Sequence, residues 1–138
     1  MSFSGGDILE ITYNHPVIGS GTLFCKSAED ATMDRGGYRT ADDANNVTGD
    51  GQMLQTINRV AWSFETPMLA WDMSGTDELD RLSKLAASPV LADWTITIIN
   101  NVIYGGKGKP VGDIKGNTNT GMIESIKLSG EGELKKLS

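Results

Sequence analysis

Between Ala28 and Gln52 the chain reads AEDATMDRGGYRTADDANNVTGDGQ, and only Met33, Tyr38 and Val47 in it are sizeable hydrophobes. Six acids (Glu29, Asp30, Asp34, Asp42, Asp43 and Asp50) stand against two arginines, Arg35 and Arg39. Strand-like sequence borders the stretch on both sides, at 21–25 and at 53–65. Connections inside a compact domain usually span about 4–6 residues, and longer ones are functional or disordered. This one is not low in complexity and carries specific turn chemistry. It therefore reads as an arm, at about residues 27–52, that becomes ordered against something else. The remainder reads as the body from which the arm projects.

A chain of 138 residues is one domain, here 1–138, long enough to bury a sizeable core. The formal charge of −6 argues against a groove that grips phosphates, because such binding is driven by Lys and Arg displacing counterions. The single cysteine, Cys25, allows no intrachain disulfide and no cysteine metal cluster. The first residues, MSFSGGDILE, lack the basic region and apolar run of a signal peptide. No segment approaches the ~20 apolar residues needed to cross a bilayer, so no membrane insertion is expected.

Strands are expected over 7–14, within 17–26 (bent at Gly19 and Gly21) and over 53–65, where Val60, Trp62 and Phe64 alternate with polar or small residues. Residues 68–71 continue beyond Pro67 as a strand past a kink or as an edge. Further strands are expected over 93–99, 102–104, 122–129 and 133–137, the last two interrupted by Gly130-Glu131-Gly132. Asn100-Asn101 reads as a tight hairpin turn. Within the arm, residues 36–39 suggest a hairpin tip and 48–51 a second turn. One helix is expected, capped by Ser74-Gly75-Thr76, with Asp77 and Glu78 in its first turn and Leu79, Leu82, Leu85 and Ala86 as its apolar stripe. Ser88-Pro89 ends it. Short strands, one helix and no strand–helix alternation imply a mainly β fold: an antiparallel sandwich or barrel with one flanking α-helix and a long extended arm loop.

No constellation favours catalysis, a metal or a cofactor. Residues 105–110, GGKGKP, lack the spacing and the Ser/Thr of a phosphate loop and read as a flexible loop. Asp42, Asp43 and Asp50 lack the spacing of a calcium loop. Asp72, Asp77 and Asp80 are explained by helix capping. His15 is the only histidine, and acid–base or metal work requires partners. A Gly-x-Ser-x-Gly elbow is absent. Trp62 and Trp94 read as core, and Trp71 is open between core and a stacking surface.

Six stretches in order carry a family likeness: residues 37–43 (GYRTADD), 49–51 (GDG), 58–65 (NRVAWSFE), 77–82 (DELDRL), and the closing runs 105–114 and 126–134. In these the chain resembles the tail tube proteins of contractile-tailed bacteriophages, related in fold to the tube subunits of type VI secretion and contractile injection particles. The resemblance implies a virion structural protein, assembled in the host bacterial cytoplasm and resident in the tail. Such subunits form hexameric rings that stack into a hollow tube within a contractile sheath. The tube is driven through the host envelope, and DNA passes down its lumen. The implied partners are further copies of the chain, the tail sheath protein, baseplate and tail terminator proteins, and, transiently in the lumen, the tape measure protein and DNA. The arm, with Arg35, Tyr38, Arg39, Asp42, Asp43 and Asp50, is the expected contact between subunits. Glu65, Glu124 and Lys127 are expected on the lumen wall, where an acidic surface would let DNA slide. A lone subunit is expected to present open strand edges. The rivals are a monomeric OB-like binding module, a small hydrolase built on paired carboxylates, and a bacteriocin or type VI-like inner tube.

Overall fold

The computed structural model describes residues 4–40, 42 and 44–137. Ten strands and one helix follow in the order β1 (Ile8–His15), β2 (Gly19–Leu23), β3 (Thr32–Asp34), β4 (Gly37–Thr40), β5 (Ile57–Val60), β6 (Trp62–Ala70), α1 (Glu78–Ala87), β7 (Ala92–Ile98), β8 (Ile103–Val111), β9 (Gly116–Asn117) and β10 (Met122–Lys136). The fold is mainly β with a large antiparallel sheet and one short helix. The main sheet runs β2-β1-β7-β8-β10-β6-β3, with β9 beside β10, and β4-β5 form a separate two-stranded ribbon.

The main sheet closes on itself. Beyond β2 the chain crosses to the free edge of β6, where Cys25 bridges Leu69, Ala70 N–H donates to Phe24 O (2.8 Å) and Lys26 N–H donates to Met68 O (2.9 Å). A six-stranded barrel results, with β3 continuing along the same β6 edge through Thr32–Glu65, Met33–Phe64 and Asp34–Ser63. Closure removes most of the open edges expected of a lone subunit, because each barrel strand has a neighbour on both sides over part of its length.

The period-2 pattern points inward as expected for Trp62, Phe64, Trp94 and Ile96, all fully buried with Ile11, Leu23, Ile126 and Leu128. Each such side chain contributes about 1.5–3 kcal/mol by leaving water. The GGKGKP run is not a loop: it lies in β8, between β7 and β10. The two indoles explain the error. Trp94 Nε1–H donates to Gly108 O and Trp62 Nε1–H to Lys107 O, each at 2.9 Å. A Cβ on Gly108 would stand 2.6 Å from Trp62 Cζ2, and one on Gly130 2.6 Å from Gly108 Cα. These glycines make room for the facing strand's carbonyls and for tryptophan, and they imitate a loop only in composition.

Other expectations change in detail. The strands expected at 122–129 and 133–137 are one strand, β10, with a register shift between Glu131 and Lys135. Pro67 lies inside β6, and the kink falls on Met68 (φ 57°). The helix begins at Glu78 behind Asp77, which is left-handed (φ 48°) and makes no side-chain cap, so Ser74-Gly75-Thr76 do not cap it. Asp72 instead holds the approach, its Oδ1 accepting from Gly75 N–H at 3.0 Å. Trp71, half-buried, donates its indole N–H to Asp77 Oδ1 at 2.9 Å. Leu82 and Leu85 join the core, as the stripe predicts. His15 is buried and structural: Nδ1 accepts from Val17 and Ile18 N–H (3.0 Å each), which leaves Nε2–H for Ser88 Oγ (2.9 Å) and Val90 O (3.1 Å). It ties the β1–β2 turn to the exit of α1.

Candidate assembly surface

The segment that leaves the barrel is 37–60, not 27–52. Residues 28–36 return to the barrel wall because Ala31 and Met33 pack against the core and β3 pairs with β6. Residues 53–60, expected to continue the buried strand, belong instead to the ribbon, and every residue from 51 to 60 is exposed. The break lies at Ala61, between β5 and β6. Val60 is therefore off the core, although it shares the period of Trp62 and Phe64.

A corner at Asp34–Gly37 launches the ribbon. Gly36 and Gly37 have φ of 71° and 95°, a backbone that glycine adopts without steric cost. They make a bend between β3 and β4, not the tip of a hairpin. Arg35 locks the bend to β10. Its Nε–H donates to Leu134 O (2.9 Å), its carbonyl accepts from Leu134 N–H (2.9 Å), its guanidinium pairs with Glu133 (3.2 Å), and it lies 5.4 Å from the Tyr104 ring centre. Asp34 accepts from Gly36 N–H at 3.0 Å and pairs with Arg39. The Gly36 amide, and then Arg39, hold the Asp34 carboxyl below the usual carboxylate range.

Beyond the corner, Tyr38 pairs with Arg59 and Thr40 with Ile57. Strand alternation places Tyr38, Thr40, Ile57 and Arg59 on one face of the ribbon. Arg59 stacks 5.4 Å from the Tyr38 ring centre and makes no ion pair among the described residues. The tip is built by Val47 bridging Met53, and by the expected turn at 48–51: Gly51 N–H donates to Thr48 O (2.9 Å) and Thr48 N–H to Gln52 O (2.7 Å). Asp50 accepts from the Thr48 hydroxyl and from Gln52 Nε2–H, and these bonds lower its pKa.

The ribbon and tip expose Tyr38 (64%), Met53 (62%), Ile57 (60%), Val47, Leu54 and Val60. An isolated two-stranded ribbon is marginal in water, and this one carries an exposed apolar surface. Of the expected contact residues, Tyr38 and Arg39 lie on the ribbon, Asp42 is exposed just past β4, and Asp50 serves the tip turn. Arg35 is engaged by its own chain at the base. Asp43 lies outside the described residues. Sequence reasoning missed Ile57, Arg59, Met53 and Leu54. The signal was there, as large hydrophobes on the far side of a polar tip, but period-2 alternation does not distinguish a face that meets the core from one left exposed.

Glu65, Glu124 and Lys127 are exposed on the outside of the barrel. Glu65 stands directly opposite Lys127, and along the same wall Lys107 lies between Asp93 and Glu131. This surface alternates in charge instead of being uniformly acidic. Cys25 is half-buried, and burial raises its thiol pKa, with a hydrogen bond from Thr66 partly opposing. Among the described residues no three His, Cys, Asp or Glu side chains gather as a metal site requires, and no helix is long and apolar enough to cross a membrane. No protein-family model matches the chain, and no curated protein matches it either.

Proposed function

We propose that this chain is a structural subunit of a phage-type tail tube. Copies associate through the ribbon into hexameric rings, and the rings stack into a hollow conduit inside a contractile sheath, through which DNA reaches the host. The observation that carries the proposal is the pairing of a self-sufficient barrel with a ribbon whose large hydrophobes the described residues leave about half exposed. Burying Tyr38, Ile57, Leu54 and Met53, each about half exposed, against another copy stabilises the assembly by about 1–1.5 kcal/mol per side chain, before the cost of association. The sequence likeness supplies the ring and the conduit. The charge-alternating wall around Glu65 and Lys127 also suits a conduit, since it offers phosphates no continuous basic track.

The test is negative-stain imaging with sedimentation of the purified chain over a range of concentrations. Rings with a central hole, or tubes of them, are expected. A second protein, in which residues 39–58 are replaced by Asn-Gly to close the ribbon as a two-residue turn, should keep the barrel fold and lose assembly. A wild-type chain that stays at one-chain mass at millimolar concentration refutes the proposal.

A further inference from the structure

The barrel seam is incomplete at one end. Phe24 and Lys26 pair with β6, but β6 ends at Ala70, and among the described residues no backbone hydrogen bond joins Thr22 to Asp72. Where the two strands part, a cleft of about 570 Å³ opens, lined by Thr22, Phe24, Trp71, Asp72, Glu78 and Met122 among others. Phe24 is more than half exposed, and Trp71 and Met122 are half-buried. The lining contains two carboxylates and no basic residue.

We propose that this cleft is the seat for the ribbon of the next copy, an inference that rests on the self-assembly proposed above. The complementarity is chemical. The ribbon face offers Tyr38 and Ile57 with one cation, Arg59, which borders Asp93, Glu131 and Glu133 of its own chain without pairing with them. The cleft offers Phe24, Trp71 and Met122 with Asp72 and Glu78. Arg59 has its charge free of any ion pair among the described residues, and apolar contact surrounded by one opposite-charge pairing sets register as well as affinity.

The occupant must be another molecule. The cleft lies at the Met122 end of β10, whereas the ribbon leaves the barrel where Gly36 bridges Glu133. At ~3.3 Å per residue these points are roughly 35 Å apart. The Tyr38–Arg59 pair is the first beyond Gly37, so it cannot reach its own cleft without undoing the corner that Arg35 holds. Donor and acceptor at opposite ends of one strand make a head-to-tail contact, and such a contact propagates instead of closing a dimer. It therefore supplies the link between successive copies around the proposed ring.

The experiment is a charge exchange read by sedimentation, with near-ultraviolet circular dichroism to confirm folding. Arg59→Glu and Glu78→Arg should each raise the concentration needed for assembly by at least about tenfold. An equimolar mixture of the two should assemble again, because each variant then meets an opposite charge at both ends. Glu78 accepts from Thr76 Oγ1 and Asp72 N–H and its replacement can weaken the helix start, so Phe24→Arg, whose side chain makes none of those bonds, is the second probe. It should also abolish assembly while the barrel stays folded. If wild type assembles and Phe24→Arg assembles equally well, the cleft is not the seat and the self-assembly proposal survives. If the folded exchange variants fail to rescue each other, Arg59 and Glu78 do not meet and the inference is overturned. If wild type itself never assembles, the failure lies in the self-assembly proposal.

Discussion

Replacing Gly130 by alanine tests the account of the barrel wall most directly. A Cβ there would fall nearest the Lys107 carbonyl oxygen, far inside contact distance, and 2.6 Å from both Trp62 Nε1 and Gly108 Cα, so two of the three neighbours are backbone in the centre of the sheet. None can move far, because Trp62 Nε1–H is bonded to Lys107 O and Gly108 O holds Trp94. Overpacking of this kind costs about 1–3 kcal/mol. Displacing the Trp62 indole adds about 1 kcal/mol for its hydrogen bond. The total of about 3 kcal/mol is a large share of the 5–15 kcal/mol that holds a domain together. With a urea slope of about 2 kcal/mol/M, the unfolding midpoint falls by about 1.5 M at unchanged slope. Urea titration followed by tryptophan fluorescence measures it. Gly49→Ala is the control: nothing lies within 4 Å of the added methyl, so its midpoint should hold or rise slightly. A midpoint for Gly130→Ala within about 0.3 M of wild type would refute the claim that the close approach of the facing strand and of the Trp62 indole dictates glycine in β8 and β10.

Three further outcomes are expected. Arg35→Ala should cost about 2 kcal/mol, chiefly from the charged hydrogen bond to Leu134 O with only a small, solvent-screened share from Glu133, and amide exchange should quicken across residues 37–60 but not in β7. His15→Ala should lower the melting temperature through about 2–3 kcal/mol of lost hydrogen bonds and packing, and His15→Asn should recover part of it because Asn also accepts from amides two and three residues ahead. For Asp34 the folded pKa lies below the unfolded one, so its contribution is fully present above the ordinary carboxylate value of about 3.9. It declines below that value and is gone once the pH passes the depressed folded pKa. The corner should therefore loosen in acid in wild type, and Asp34→Asn should flatten that dependence of ribbon exchange between about pH 2 and 5.

The sequence by itself determined the class of fold. Alternation at Trp62–Phe64 and Trp94–Ile96 and the Leu82–Leu85 stripe are local signals that the structure uses as expected, and the hairpin turn expected at Asn100-Asn101 forms one residue wider, over 99–101. The turn at Thr48–Gly51 was legible for the same reason. Tertiary structure alone decided three other matters. It turned the GGKGKP run into a central strand, because the need for glycine came from a facing strand and from indoles distant in sequence. It split the run at 53–65 between ribbon and barrel, because periodicity fixes which residues share a face and not what that face meets. It also set the apolar ribbon and the acid-rimmed cleft at opposite ends of β10, a relation that depends on how the sheet closes and that no stretch of sequence contains.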